Sequence, residues 1–269
     1  MRFAKRTLVF AGVMLAVVWM TSQARGDWPT DSSITKWVQL PDPTELGLDV
    51  KVSEPKILAD DFQCRMTGPI TDIHIWGSWL NDYMPVDATG APDPSQVVFK
   101  LSFHTDIPAD PPNGYSRPGQ PLWRKFYEPG TYKARIVEHV PYEGFFDPNI
   151  NEIIGKDNII WQYNFDVPVA EAFVQKEGTI YWLDVQALTP SPNFMFGWKS
   201  SREHWNDDAV FGDAPFGAEP TFWNELRYPP GHPMAGQSID LAFALTTVPE
   251  PASLGMLAMA ALALGLRRR

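Results

Sequence analysis

Apolar and polar residues alternate with a period of two along much of the chain, the pattern of half-buried β-strands. In Val97 to His104 the positions Val97, Phe99, Leu101 and Phe103 are apolar, while Lys100, Ser102 and His104 face the other way. Ile159, Trp161, Tyr163, Phe165 and Val167 alternate with Gln162, Asn164 and Asp166, and Ile239, Leu241, Phe243 and Leu245 alternate with Ser238 and Asp240. Ile70 to Trp79, Tyr132 to Val140 and Thr179 to Leu188 are strand-like with less regular alternation; Ile57 to Cys64, Asn193 to Lys199 and Ala209 to Phe211 are weaker candidates. Only a short turn at Pro168 to Gln175 reads as helical between residues 27 and 247. Nine or ten strands with one apolar face each predict an all-β fold, a single antiparallel β-sandwich, jelly-roll-like by size and strand count. Pro- and Gly-bearing stretches predict long surface loops at Asn81 to Gln96, Pro108 to Pro121, Phe145 to Lys156 and Gly212 to Gly236.

The two ends follow other rules. Arg2, Lys5 and Arg6 precede thirteen unbroken apolar or small residues, Leu8 to Met20, and then small residues at Ser22, Ala24 and Gly26. That order is a secretory signal peptide over residues 1–26, with cleavage after Ala24 or Gly26. At the other end Pro249, Glu250 and Pro251 interrupt the last strand pattern. Fifteen uncharged residues rich in Ala and Leu follow, Ala252 to Leu266, and Arg267, Arg268 and Arg269 close the chain. An apolar helix followed by a cationic cluster enters a membrane with the cations on the cytoplasmic side. The expected division is therefore a signal peptide at 1–26, one β-sandwich domain at 27–247 and a sorting or anchor segment at 248–269.

The order Pro-Glu-Pro, apolar helix, arginine cluster over Val248 to Arg269 resembles the PEP-CTERM sorting signal of Gram-negative bacteria. The resemblance implies recognition and processing by an exosortase, a membrane transpeptidase, with Pro249, Glu250, Pro251 and the three arginines as the sorting motif. It also implies membrane contact through the C-terminal helix at least in passing, and an exopolysaccharide-producing host. Between the ends, ADDFQC (Ala59 to Cys64), GPITDIHIWGSW (Gly68 to Trp79), GTIYWLDVQA (Gly178 to Ala187) and FGWKSSREHWNDDAVF (Phe196 to Phe211) resemble an uncharacterised domain of secreted proteins from Planctomycetes-like bacteria. That resemblance brings no activity with it.

Charge narrows the partners. Seven of the 22 Lys and Arg and one of the 32 Asp and Glu lie in the two ends, which leaves 15 basic against 31 acidic residues, a net charge near −16, between them. Such a surface disfavours nucleic acid and anionic lipid and suits cations or neutral glycans. Cys64 is the single cysteine, so no internal disulfide forms, and a buried inert thiol is its ordinary reading. No CxxC, HExxH, GxSxG or phosphate-binding glycine motif occurs.

Three constellations remain. Asp60, Asp61, Asn206, Asp207 and Asp208 are hard oxygen donors suited to Ca²⁺ if the two segments meet, or turn and capping residues if they do not. Asp72, His74 and His104 would converge as a base or metal site if their strands pair. Trp123, Trp205 and Trp223 lie among loops and polar residues, either as sugar-stacking platforms or as packed loop anchors; Trp161 and Trp182 read as core. The expected function is an exported, non-catalytic surface or matrix protein, glycan-binding through such aromatics. The alternative is a secreted polysaccharide hydrolase using Asp207, Asp208 or Glu203 with Asp61.

Overall fold

A computed structural model describes residues 33–110 and 114–247; the signal peptide and the sorting segment from residue 248 lie outside the described residues. Fifteen strands follow in order: β1 (Ile34–Gln39), β2 (Leu48–Lys51), β3 (Lys56–Gln63), β4 (Gly68–Ile70), β5 (Asp72–Trp79), β6 (Val98–Ile107), β7 (Arg117–Tyr127), β8 (Lys133–Asp147), β9 (Glu152–Asp166), β10 (Phe173–Gln175), β11 (Ile180–Leu188), β12 (Phe196–Lys199), β13 (Val210–Asp213), β14 (Asn224–Glu225) and β15 (Phe243–Thr247). Among the described residues there is no α-helix, and none is long and apolar enough to cross a membrane. The short helical turn expected near Pro168 is a 3₁₀ turn at Val169–Glu171.

The strands form an all-β sandwich. One sheet runs β1-β15-β5-β12-β2-β8-β9, the other β14-β13-β3-β11-β6-β7, and β10 pairs with β4 at the side. All strand pairs are antiparallel except β2 with β8, which run parallel. The alternating faces meet in one aromatic core. Phe99 of β6 touches Tyr163 and Phe165 of β9, Phe196 of β12 and Tyr132, with centroids 5.2–5.3 Å away. Phe62 of β3 meets Phe243 of β15 at 6.0 Å. These contacts tie the sheets together by apolar burial and edge-to-face ring geometry.

The polar faces depart from the simple sandwich pattern, because both sheets are covered on their outer sides. All eight residues of β5 are buried, and so are Lys100, Ser102 and His104 of β6 and Asp184 and Gln186 of β11. Over the six-stranded sheet lies the segment from Ala214 to Trp223: Gly217 donates its N–H to Gln186, and Glu219 reaches Lys100 and Arg124. Over the seven-stranded sheet the long β8–β9 hairpin curls back. The pairings β5–β12, β12–β2, β2–β8, β8–β9 and β9–β5 return to their starting strand, so five strands close a ring. The expected loop at Phe145 to Lys156 is thus mostly strand, since β8 and β9 continue almost to their turn at Pro148–Asn151. Likewise β7 begins inside the expected loop Pro108 to Pro121.

Candidate functional site

Asp60 and Asp61 sit side by side on β3 and point to opposite faces. Asp60 faces the sandwich interior, where its carboxylate accepts hydrogen bonds from Gln39 Nε2 (3.1 Å) and the Leu241 N–H (2.6 Å). Asp61 faces outward beneath the 204–208 loop and accepts from Asn206 Nδ2 at 2.6 Å, which also donates to Asp207 at 2.8 Å. Burial pushes Asp61 up to about 8 against the pull of the Asn206 bond. Asp208 turns away to Arg227 at 2.8 Å. The structure therefore brings Asp61, Asn206 and Asp207 together, and leaves Asp60 and Asp208 with other partners. Asn206 has a left-handed φ of 61°, a conformation its side chain tolerates in tight turns.

The expected convergence of Asp72, His74 and His104 does not occur. β5 and β6 belong to different sheets, and the two histidines lie on their outer faces. His74 instead meets Asp72 (3.2 Å) and Asn164 (2.6 Å). His104 joins a second network in which its Nε2 lies 2.6 Å and Lys100 Nζ 3.1 Å from Asp184, and Glu219 closes the network from above with Arg124. Burial alone would raise the Asp184 carboxyl, but Lys100 and His104 hold it below the usual range. His104 is raised: Asp184 and Glu219 outweigh its burial. Asp184 and Glu219 are matched by Lys100 and Arg124, with His104 as a third basic group, so the network holds no excess negative charge.

The tryptophans pack rather than project. Trp123 lies on Phe103 (5.3 Å) and donates its indole N–H to the Glu171 carbonyl. Trp205 sits edge-on to Trp37 at 5.1 Å, and Trp223 packs with Tyr115 against Ala59, Trp182 and Val210. Trp182 is buried as expected, but on the outer face of β11, with its N–H on Asp106 at 2.9 Å. Cys64 is a buried free thiol.

Two sites emerge that no spacing in the sequence announces. One is a groove of about 380 Å³ where the edge of the six-stranded sheet meets the β8–β9 turn, its lining shared between aromatic Tyr115 and Phe211 and polar Asn151, Asn224, Glu225 and Arg227. The turn is pinned to the sheet by Asn149, which bonds Lys56 and Asp213. The other lies within the ring of five strands. Asp49 (β2), Glu143 (β8), Asp157 (β9) and Lys199 (β12) are all at most 1% exposed, with Ser78 of β5 beside them. Lys199 Nζ bonds Glu143 at 2.6 Å and Asp49 at 3.3 Å. Burial pushes Glu143 up to about 8 and Asp157 up to about 10, the neighbouring acids adding to it and Lys199 opposing. Asp49 is also raised, first by burial.

A pH dependence follows. Glu143, Asp157 and Asp61 hold protons in the folded protein that the unfolded chain releases near pH 4. Their raised folded pKa values stabilise the fold fully below the unfolded values, and that stabilisation is lost as pH rises through the folded ones. Metal-stripped protein is expected to lose stability progressively as the pH rises from about 5 to 8. Urea midpoints in EDTA that stay flat or rise over this window would contradict these protonation states.

Comparison with known families adds two findings. The family model for a domain of unknown function, DUF7901, matches residues 35–246, and the PEP-CTERM protein-sorting motif matches residues 247–269. No curated protein and no solved structure matches the chain.

Proposed function

Since the chain belongs to the DUF7901 domain family and ends in a PEP-CTERM motif that makes it an exported protein sorted by exosortase, we propose that it is a non-catalytic component of the cell surface or extracellular matrix that binds neutral glycan in the groove beside Tyr115 and Phe211. The junction of domain and tail suits display. The last strand ends at Thr247, and the sorting motif begins at that residue, so no linker or further domain separates them. A Gram-negative host and an exopolysaccharide ligand belong to the same reading.

The observation that carries the ligand class is the make-up of the groove. Tyr115 and Phe211 are aromatic residues of the lining on which a sugar ring can stack, while Asn151, Asn224, Glu225 and Arg227 supply donors and acceptors for hydroxyls. The loop tryptophans Trp123, Trp205 and Trp223 serve here as anchors that hold neighbouring segments. Binding of purified exported protein to neutral polysaccharides is expected to weaken about tenfold in Asn224→Ala, the loss of one or two hydrogen bonds, at an unchanged melting temperature. Equal binding by the variant would remove the groove as the site.

A second reading, polysaccharide hydrolysis, draws support from Asp61 and Asp207. They share the Asn206 amide, and burial raises Asp61 to about 8, in the range of a general acid for glycoside hydrolysis. Against it, Asp61 is fully buried, Asp208 is held by Arg227, and no substrate reaches Asp61 unless the 204–208 loop moves.

A further inference from the structure

The geometry points to a divalent-cation site inside the ring of strands, with Asp49, Glu143 and Asp157 as carboxylate ligands and Ser78 Oγ as a fourth, suited to a hard ion of the calcium class. The site is built by the fold. Leu48, Val50, Phe196, Trp198 and Trp79 face the sandwich core, so Asp49, Lys199 and Ser78, which alternate with them, face the opposite side. There the curled hairpin brings Glu143 and Asp157, a cross-strand pair of β8 and β9, against them. One carboxylate oxygen from each of the three acids lies within 4.8 Å of the other two. Oxygens that share one calcium at 2.3–2.6 Å stand up to about 5 Å apart.

The second, independent observation concerns what is left without a partner. Lys199 engages one oxygen of Asp49 and one of Glu143. The other oxygen of each, both oxygens of Asp157 and the hydroxyl of Ser78 are buried with no hydrogen bond. Ser78 lies close enough to lower both Asp49 and Asp157, but not in hydrogen-bonding geometry. Five orphaned oxygens in one buried cluster are a costly arrangement for a protein interior, in which buried polar groups are paired almost without exception. A cation held by the three acids would give their oxygens the partner they lack, and calcium's remaining positions suit water.

Charge gives the same answer. Three carboxylates against Lys199 leave two negative charges, which a divalent ion cancels. The other acid–histidine cluster, His104, Asp184 and Glu219, shows the contrast. It already holds Lys100 and Arg124, and has no charge for a cation to cancel. The turn before β2 closes over the ring cluster: a Cβ on Gly47 would stand 2.3 Å from the Asp42 carbonyl, 2.7 Å from Lys199 Nζ and 3.1 Å from Glu143 Oε1. Only glycine lets the chain pass so close to the charged groups.

The test is calorimetric titration of Ca²⁺, with Mg²⁺ and Mn²⁺ in parallel, into EDTA-stripped exported protein, supported by metal analysis of protein purified without chelator. The expected result is one ion per chain, uptake reduced at least a hundredfold in the near-isosteric Asp157→Asn, and uptake unchanged in Glu152→Gln on the exposed start of β9. No uptake by wild-type protein with intact β circular dichroism would overturn the site, whatever the variants do. Uptake lost in Asp207→Asn but kept in Asp157→Asn would move the ion to the 204–208 loop and equally overturn it.

Discussion

Replacing Lys199 by methionine is expected to destabilise the metal-stripped protein by about 3–5 kcal/mol at pH 7, the usual cost of removing one partner from a buried ion cluster. The side chain is fully buried and, among the described residues, is the only cation bonded to Asp49 and Glu143. Methionine keeps much of the length and apolar volume of the stem, so the loss reports charge more than packing. Lowering the pH protonates the Asp49 carboxylate that loses its counter-charge, so the gap between wild type and variant should narrow toward pH 5. Urea denaturation followed by tryptophan fluorescence measures both; a loss under about 1 kcal/mol at pH 7 would mean that Lys199 is not the counter-charge of the ring.

Phe99→Ala is expected to cost about 3–5 kcal/mol, the range for emptying an aromatic site that cannot collapse. Phe99 is fully buried on β6, and its four ring neighbours all lie on the opposite side of the core, in or beside the seven-stranded sheet. The rings of Tyr163, Phe165 and Phe196 are each held by their own strands, so none can swing into the vacancy without breaking a ladder. The denaturant slope should stay near that of the wild type. A cost under about 1.5 kcal/mol would mean that the two sheets are held together elsewhere.

The strand faces turned to the shared core were legible in the sequence, and those turned away were not. Val97 to His104 and Ile159 to Val167 keep a clean period because their apolar residues meet the opposite sheet, and both are strands. The same alternation sets Lys100, Ser102 and His104 on the polar face, yet each is at most 1% exposed. The reason is the second layer: the hairpin β8–β9 curls over one sheet and the segment from Ala214 to Trp223 over the other. Period alone registers which side of a strand is polar, not whether another segment lies on top of it. β2 and β14 are too short to show any period, and β7 and the turn-proximal parts of β8 and β9 fall in stretches whose Pro, Gly and Asn content reads as loop.

The sites follow the same division. HWNDDA attracts notice because its donors are adjacent, and the structure does join Asp61, Asn206 and Asp207. Asp49, Glu143, Asp157 and Lys199 are scattered over 150 residues with no shared motif, and only the closure of five strands assembles them. The signal in reach was weak: four charged residues interrupting otherwise strand-like or aromatic segments, LGLDV, PYEGFF, GKDNII and FGWKS. The groove has a similar origin, since Tyr115, Asn151 and Asn224 come from three separate segments. By contrast the sorting motif is a linear signal at the chain end, read by order and composition, and needed no fold to be recognised.

The proposal of a non-catalytic glycan-binding surface protein meets its most direct test in one light-scattering chromatography run on purified exported protein mixed with the host's neutral exopolysaccharide. The account predicts that the protein co-elutes with polysaccharide, that Asn224→Ala elutes largely free, and that the molar mass of the polysaccharide is unchanged after prolonged incubation. A falling polysaccharide mass that Asp61→Asn abolishes would instead make the protein a hydrolase, and protein eluting free of polysaccharide would contradict glycan binding.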